Sequence, residues 1–401
     1  MIRHLFRLVW NRKRANALVI LEILLCFVVV FGVLVFGVAM ADNLRRPLGY
    51  STTDVWHVVF GRELDDGSDP KAGEVAERLV EVARGLGPVE AVAANLITPY
   101  STAAAVTNAG VNGRTVSFAF STATDDIAAV LRLDLVAGRW FGKQDDHARD
   151  APTIITRDLA RELFGEADPI GRELPSEPRA PDAQPAPARR VVGVLSAYRA
   201  GGELAGDSLF ALFRADPANP RLGVPHDLLV RVRPGTPRAF EEQLVKTLQA
   251  VAPDYQLAVE PLFELKAKYR DRYVLPLGIA AVVAGFLIAM VALGLTGVLW
   301  QNVTKRTKEI GLRRATGATA RQISLQILGE TWILTTLALA VGAMLVLQLP
   351  LLAVLPFVTA RVFALSFALS LVTLYALATL CAFYPSWLAT RISPTEALRH
   401  E

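Results

Sequence analysis

Four long apolar runs constrain this 401-residue chain more than any other feature. They extend over residues 15–41, 274–300, 331–355 and 362–384; the first contains one charged residue, Glu22, and the other three contain none. Each run exceeds the roughly 20 residues that cross a bilayer core as an α-helix. A helix is required because lipid satisfies no backbone hydrogen bonds. The sequence therefore predicts a membrane protein with four transmembrane α-helices.

The distribution of basic residues predicts the orientation of these helices. Residues 1–14 carry five Lys and Arg, the connector at 301–330 carries six, and the link between the third and fourth runs carries only Arg361. An even number of crossings puts both termini on the same side. We therefore expect both termini, the connector and the tail at 385–401 in the cytoplasm, and residues 42–273 outside the membrane.

The large segment at 42–273 predicts a folded α+β domain inserted between the first two transmembrane helices. Strand-like runs at 55–60, 153–156, 190–195 and 227–233 alternate with helical patterns at 70–84, 157–164 and 237–251. The stretch 175–188 contains five prolines, which exclude a central strand or helix, and it predicts an exposed loop whose role the sequence leaves open.

The N-terminal residues 1–14 predict a helix that lies in the cytoplasmic headgroup layer of membrane lipid. Apolar residues from Ile2 to Trp10 share one helical face, and Arg3, His4 and Arg7 lie on the other. The basic residues at 12–14 also serve as a positive-inside signal. Both interpretations can hold together.

Motifs for catalysis are missing from the sequence. It contains no G-x-x-x-x-G-K-[ST] phosphate loop, no H-E-x-x-H, no G-x-S-x-G and no C-x-x-C. Its five histidines are scattered, and isolated histidines are usually core or surface residues. The net charge of +4 does not indicate nucleic-acid binding. We expect a non-catalytic chain that binds no metal or cofactor itself.

Two features inside the apolar runs are candidates for function or packing. Glu22 lies well inside the first run, and it is either a functional acid or a hydrogen-bonded residue that faces another helix or a partner subunit. Ala281, Gly285 and Ala289 recur every four residues in the second run, a small-residue face that permits close helix packing.

The connector at 301–330 is the most informative segment. It predicts a helix that continues the second run, a break near Gly317, and a second helix capped by Thr319. Two short cationic helices would then lie at the membrane surface. Their charges suit either lipid headgroups or an acidic cleft of a partner protein, and composition does not separate the two.

The connector sequence from Lys305 to Ala318, KRTKEIGLRRATGA, resembles the R-x-x-E-I-G-x-x-[KR]-A-x-G-A signature of the MacB/FtsX-like family of ABC transporter permeases. The tail from Tyr384 to Arg399 is similar to the end of that family. The stretches 137–139, 163–171 and 191–194 resemble its MacB-like periplasmic core domain. The resemblance covers nearly the whole chain except the proline-rich loop.

The resemblance implies a permease that pairs with a second permease subunit, the same or homologous, and docks two cytoplasmic ABC ATPase subunits that bind Mg-ATP. It implies that a connector surface contacts the ATPase. That surface comprises Lys305, Arg306, Lys308, Glu309, Gly311, Arg313, Arg314 and Gly317. The two glycines would permit tight turns or close approach, or would only terminate helices.

Two hypotheses of function follow for a bacterial inner-membrane protein. In the first, the chain couples ATP hydrolysis to movement of its periplasmic domain and so exports or extracts a peptide, lipid, lipoprotein or antibiotic, with or without a periplasmic adaptor and an outer-membrane channel. In the second, it is an FtsX-like regulatory module that activates a periplasmic partner such as a cell-wall hydrolase and moves no substrate.

Overall fold

A computed structural model describes residues 13–61, 71–111, 113–146, 148–175, 188–204, 206, 209–216, 224–352 and 358–391. The chain divides into two compact units, a membrane unit of Met1–Asp42 with Val274–Glu401 and an outer unit of Asn43–Tyr273. Most of the predicted interfacial helix (1–14), of the proline-rich loop (175–188) and of the tail (385–401) lies outside the described residues.

The described residues form ten α-helices. These are α1 (Lys13–Leu44), α2 (Ala72–Arg84), α3 (Ile127–Leu131), α4 (Arg157–Phe164), α5 (Phe240–Val251), α6 (Leu262–Lys305), α7 (Thr307–Ala315), α8 (Ala320–Val346), α9 (Gln348–Leu351) and α10 (Ala360–Arg391). Four stretches are long and apolar enough to cross a membrane: Ala17–Leu44, Leu262–Lys305, Ala320–Leu351 and Ala360–Leu388. The prediction of four transmembrane helices is confirmed.

Helix α1 provides the largest share of the buried core of the membrane unit. Its residues Val19, Ile23, Phe27 and Val35 are almost fully buried, against Ala284, Val291 and Leu295 of α6 and residues of α8 and α10. The rings of Phe27 and Phe31 pack edge-on against Phe367 and Phe363 of α10, with centroids 6.0 and 5.3 Å apart. These contacts supply the shape complementarity that holds helices together where lipid gives no hydrophobic drive.

Ten strands form one sheet in the described part of the outer unit. They are β1 (Val55–Gly61), β2 (Val89–Asn95), β3 (Ala105–Val111), β4 (Arg114–Ala123), β5 (Leu135–Gly138), β6 (Ala151–Thr156), β7 (Arg189–Leu195), β8 (Phe210–Arg214), β9 (Asp227–Val232) and β10 (Gln256–Pro261). The order is β10-β1-β9-β2-β4-β8-β6-β7-β5, and β3 pairs with β4. The β4/β8 and β6/β7 pairs are parallel and the other pairs are antiparallel. The α+β class is confirmed.

Amphipathic helices cover this sheet and form its hydrophobic cores. Helices α2 and α5 bury Leu79, Leu244 and Leu248 against the β10-β1-β9-β2 part of the sheet. Helix α4 buries Leu159 and Leu163 against β6, β7 and β8. Each helix follows the i, i+3, i+4 spacing of its apolar residues, which is why these elements were predictable from periodicity.

The motifs that resemble the family's outer domain are places where backbones approach closely. Gly138 has φ +77°, and a Cβ built on it would lie 2.2 Å from the carbonyl oxygen of Val192. A Cβ on Gly193 would lie 2.6 Å from the carbonyl oxygen of Arg139. Arg139 in turn donates two hydrogen bonds to Asp145, at 2.8 and 2.6 Å. Only glycine fits these two positions, so the motifs are structural.

Candidate functional site

The connector forms a compact elbow, which we define as residues 301–330. Helix α6 ends at Lys305, the chain turns at Arg306, and α7 begins at Thr307. The sequence predicted one continuous helix here, and the structure corrects this: the Arg306 side chain turns towards α8, and the helix is interrupted at this residue. After α7, Gly317 adopts φ +100°, a conformation that favours glycine.

The second elbow helix begins where the sequence predicted. The hydroxyl of Thr319 accepts a hydrogen bond from the backbone N–H of Gln322 at 3.3 Å, and the Gln322 side chain accepts one from the Thr319 N–H at 2.9 Å. This reciprocal capping box fixes the start of α8. A small apolar cluster then holds the elbow closed, formed by Val303, Ile310, Ile323 and Ile327.

An ion pair between Arg306 and Glu330 joins the two arms of the elbow. The Arg306 Nη1 atom donates to both carboxylate oxygens of Glu330, at 2.8 and 3.0 Å, and each side chain is only 15% exposed. The amide of Gln326 also donates to Glu330, at 3.3 Å. Charge-assisted contacts of this kind, shielded from water, stabilise more than exposed pairs do.

A second link joins Arg313 to the same helix. Its Nη1 atom donates to Gln326, and its Nη2 atom donates to Glu309 at 2.7 Å. Arg306, Glu309 and Arg313 were predicted as parts of a docking surface, and the structure gives all three a partner inside the elbow. Sequence reasoning missed Glu330 and Gln326 because they lie 24 and 13 residues from their arginine partners.

The residues on the outer side of α7 have no such internal role in the described contacts. Lys308 is exposed and Leu312 is 59% exposed; Lys305, the last residue of α6, is exposed as well. Lys308, Leu312 and Ala315 are spaced i, i+4, i+7 and so share one face of the helix. We call these three residues the outward face. Gly311 is buried in the middle of α7 and does not end the helix. The side chain of Arg314 lies outside the part of the chain that the structure describes.

Glu22 of α1 lies against the backbone of α6. A Cβ built on Gly294 would be 2.5 Å from Oε2 of Glu22 and 3.0 Å from Oε1, so this carboxyl group packs directly on the glycine. Glu22 is half-buried, and no ion pair is found for it among the described residues. The geometry therefore gives Glu22 a packing contact at Gly294.

The small-residue face of α6 points away from the other described helices. Ala281, Gly285 and Ala289 are exposed, and a Cβ added to Gly285 would meet nothing within 4 Å. In the most apolar part of α6 only 11% of the residues are buried, compared with 39% in the most apolar part of α1. No group of three or more His, Cys, Asp or Glu side chains in the described residues is arranged to hold a metal ion.

Two family matches agree with this architecture. Residues 17–247 match the MacB-like periplasmic core domain, and residues 281–394 match the FtsX-like permease C-terminal domain. The first match alone covers more than half of the chain. The chain therefore belongs to the MacB/FtsX-like family of ABC transporter permeases, and it is a multi-pass inner-membrane protein.

Several named proteins are similar to this chain. The macrolide export ATP-binding/permease protein MacB of Bdellovibrio bacteriovorus is 28% identical over 284 residues, covering 66% of this chain and 41% of that protein. The pyoverdine export ATP-binding/permease protein PvdT of Pseudomonas savastanoi pv. phaseolicola is 28% identical over 289 residues, covering 68% and 41%. MacB of Chromobacterium violaceum is 25% identical over 404 residues, covering 98% and 59%. The chain thus spans about half the length of these relatives.

Proposed function

We propose that this chain is the permease subunit of an ATP-driven export complex and that its elbow receives the force of the ATPase. The observation that carries the proposal is the division of labour in the elbow. The Arg306–Glu330 ion pair and the Arg313–Gln326 hydrogen bond join its two helices, and the outward face presents Lys308 and Leu312 to a partner. A rigid elbow transmits a displacement of the docked protein to the membrane helices, whereas a flexible loop would not.

The ATPase is proposed as a separate cytoplasmic subunit in two copies, and it binds the Mg-ATP. The similar proteins named above are called ATP-binding/permease proteins, and the matched region is only part of each of them. This chain contains no phosphate-binding loop motif. In this arrangement the termini and the elbow face the cytoplasm, as the clustering of basic residues favours.

A second permease subunit, the same or homologous, is proposed to cover the small-residue face of α6. Ala281, Gly285 and Ala289 allow the close helix approach that stabilises membrane dimers. Their exposure within one chain supports an intermolecular role.

The cargo is proposed to be a peptide, lipid, lipoprotein or small antibiotic-like molecule taken up outside the inner membrane. Relatives named for macrolide and pyoverdine export support the small-molecule end of this range. A periplasmic adaptor and an outer-membrane channel would complete the route. Movement of the outer unit by the membrane helices replaces passage through a wide hydrophilic pore, because the four apolar runs together contain a single acid, Glu22.

Substitutions in the elbow test this function directly. Lys308→Glu with Leu312→Asp should abolish association with the ATPase and coupled ATP hydrolysis, while the melting temperature of the purified chain stays unchanged. Arg306→Gln should instead destabilise the chain by about 2 kcal/mol, because Glu330 loses its charged partner. The measurements are co-purification, ATP turnover and thermal unfolding in detergent.

An exposed apolar residue of the outer unit provides the matched control. Val106→Asp changes a residue of β3 that is 60% exposed and lies outside the membrane spans, and it should leave ATPase binding intact. Full ATPase binding and turnover in the Lys308/Leu312 variant would contradict the proposal. ATP-dependent activation of a cell-wall hydrolase without movement of any molecule would favour the regulatory alternative.

A further inference from the structure

A short loop in the outer unit contacts both chain segments that lead into the first two membrane spans. We call it the clasp loop, Arg199–Leu204, which follows β7. On one side it contacts the end of α1 and the residues just after it. On the other it contacts the start of α6. These two segments are more than 200 residues apart in sequence, and the clasp loop brings them into one hydrogen-bonded network.

Arg199 makes the contact with the end of α1. Its side chain is only 2% exposed, and its Nη1 atom donates to the carbonyl oxygens of Asn43 at 2.7 Å and Arg46 at 3.4 Å. The last carbonyls of a helix have no partner within the helix and carry the negative end of its dipole, so a cation stabilises them. The amide of Asn43 returns a hydrogen bond to the Leu204 carbonyl oxygen, at 3.1 Å.

Glu203 makes the contact with α6. Its carboxylate pairs with Nζ of Lys266 on one oxygen, and it accepts a hydrogen bond from the hydroxyl of Tyr100 at 3.0 Å on the other. The ring of Tyr100 lies 5.9 Å from that of Tyr269, one helical turn after Lys266. The carbonyl oxygen of Glu203 also accepts a hydrogen bond from Nη2 of Arg199 at 3.2 Å, which links the two sides.

The shape of the clasp loop is fixed by a close approach to Tyr100. Gly202 has φ +71°, and a Cβ built on it would lie 2.1 Å from Cε1 of Tyr100. Tyr100 itself has φ +66°, an unusual conformation for a bulky residue, and its backbone N–H donates to Ala200 at 2.9 Å. A non-glycine residue with a positive φ carries an energetic cost that the surrounding contacts must offset, and it therefore marks a constrained site.

We propose that the clasp loop is a mechanical joint that makes the outer ends of α1 and α6 move together, with Arg199 and Glu203 as its positioning residues. The inference rests on the proposed function, in which the membrane helices are driven by ATP hydrolysis. A displacement of either helix then reaches β7 and the sheet through the clasp loop. Without the joint, the outer ends of α1 and α6 would be coupled only through β1 and β10, the paired strands that follow α1 and precede α6 in the chain.

Hydrogen exchange on the full-length chain in detergent tests the joint without any ATPase or nucleotide. Lys266→Gln and Glu203→Gln should each speed amide exchange about tenfold, both at residues 262–270 and in the distant segment 43–50, because opening at one side releases the other. The matched control is Lys268→Gln. Lys268 lies on the same helix as Lys266 but pairs with Glu260 of β10 and makes no contact with the clasp loop in the described part of the chain, so this variant should leave segment 43–50 unchanged.

A charge exchange separates the joint from simple loss of stability. The double variant Glu203→Lys, Lys266→Glu restores the ion pair and should return exchange in segment 43–50 towards the wild-type rate. Effects confined to residues 262–270, or an equal effect of Lys268→Gln, would overturn the proposal. If no ATPase binds the elbow, the proposed function fails, yet the exchange experiment still decides whether the joint exists. In a working complex, the single variants should hydrolyse ATP while losing the nucleotide-dependent change in exchange of β7.

Discussion

At the scale of single residues, the outer unit contains a buried acid that two histidines share. Asp227 lies 3.2 Å from Nε2 of His57 and 3.3 Å from Nδ1 of His226, and the hydroxyl of Thr98 donates to it at 2.8 Å. Burial raises the pKa of Asp227, but the hydrogen bond from His226 and the pairing with His57 outweigh burial and hold the pKa well below its usual range. The sequence showed only scattered histidines, because strand pairing between β1 and β9 is a long-range event.

This depressed pKa predicts an acid-dependent stability. Ionised Asp227 stabilises the fold above the ordinary carboxyl pKa of about 3.9, and the contribution is lost as the pH falls from there towards the lower folded-state pKa. Asp227→Asn should therefore cost about 2 kcal/mol at neutral pH and weaken the loss of stability on acidification. Chemical unfolding of the full-length chain in detergent between about pH 3 and about pH 7 measures both effects. Asp254→Asn changes an exposed acid, and an equal effect from it would contradict the argument.

At the scale of elements, the contact between α1 and α6 gives a prediction with a control on the same helix. Gly294→Ala should destabilise the membrane unit by about 1 kcal/mol, because the new Cβ would displace the carboxyl group of Glu22 from its contact with α6. Gly297→Ala adds the same methyl group where nothing lies within 4 Å and should be neutral or slightly stabilising. Thermal unfolding in detergent compares the two. Removing the carboxyl group with Glu22→Ala should rescue Gly294→Ala, and equal melting of the two glycine variants would refute the contact.

Element types were more predictable than element limits. Helix α4 was predicted at 157–164 and is found at Arg157–Phe164, because its apolar residues recur at helical spacing and Gly165 ends it. Helix α6 begins at Leu262, well before the apolar run that starts at Val274. Hydropathy could not show this, since residues 262–273 are largely polar although they form the start of the same helix. The Arg306–Glu330 pair was equally hidden, because no local pattern joins residues on two different helices.

At the scale of the whole molecule, four spans, an α+β outer unit and the family were predictable from the sequence. Apolar run length determines the spans, and the connector motif carries the family resemblance. The order of the sheet was not predictable: β9 lies between β1 and β2, although it begins 166 residues after the end of β1 and 132 residues after the end of β2. The roles of Arg306 and Arg313 could be assigned only from the structure. A sequence does not show whether a basic residue pairs within its own chain or contacts a partner protein.

The elbow and the outer unit must lie on opposite sides of the membrane if an ATPase in the cytoplasm is to move the outer unit. Both native cysteines, Cys26 and Cys381, are buried, so a single introduced cysteine can be labelled without background. Lys308→Cys reports on the elbow and Arg114→Cys on the outer unit, since both positions are exposed. Cells with a permeabilised outer membrane are treated with a membrane-impermeant maleimide. We expect immediate labelling at position 114, and labelling at position 308 only after the inner membrane is disrupted. Labelling of position 308 from outside, or protection of position 114, would contradict the account.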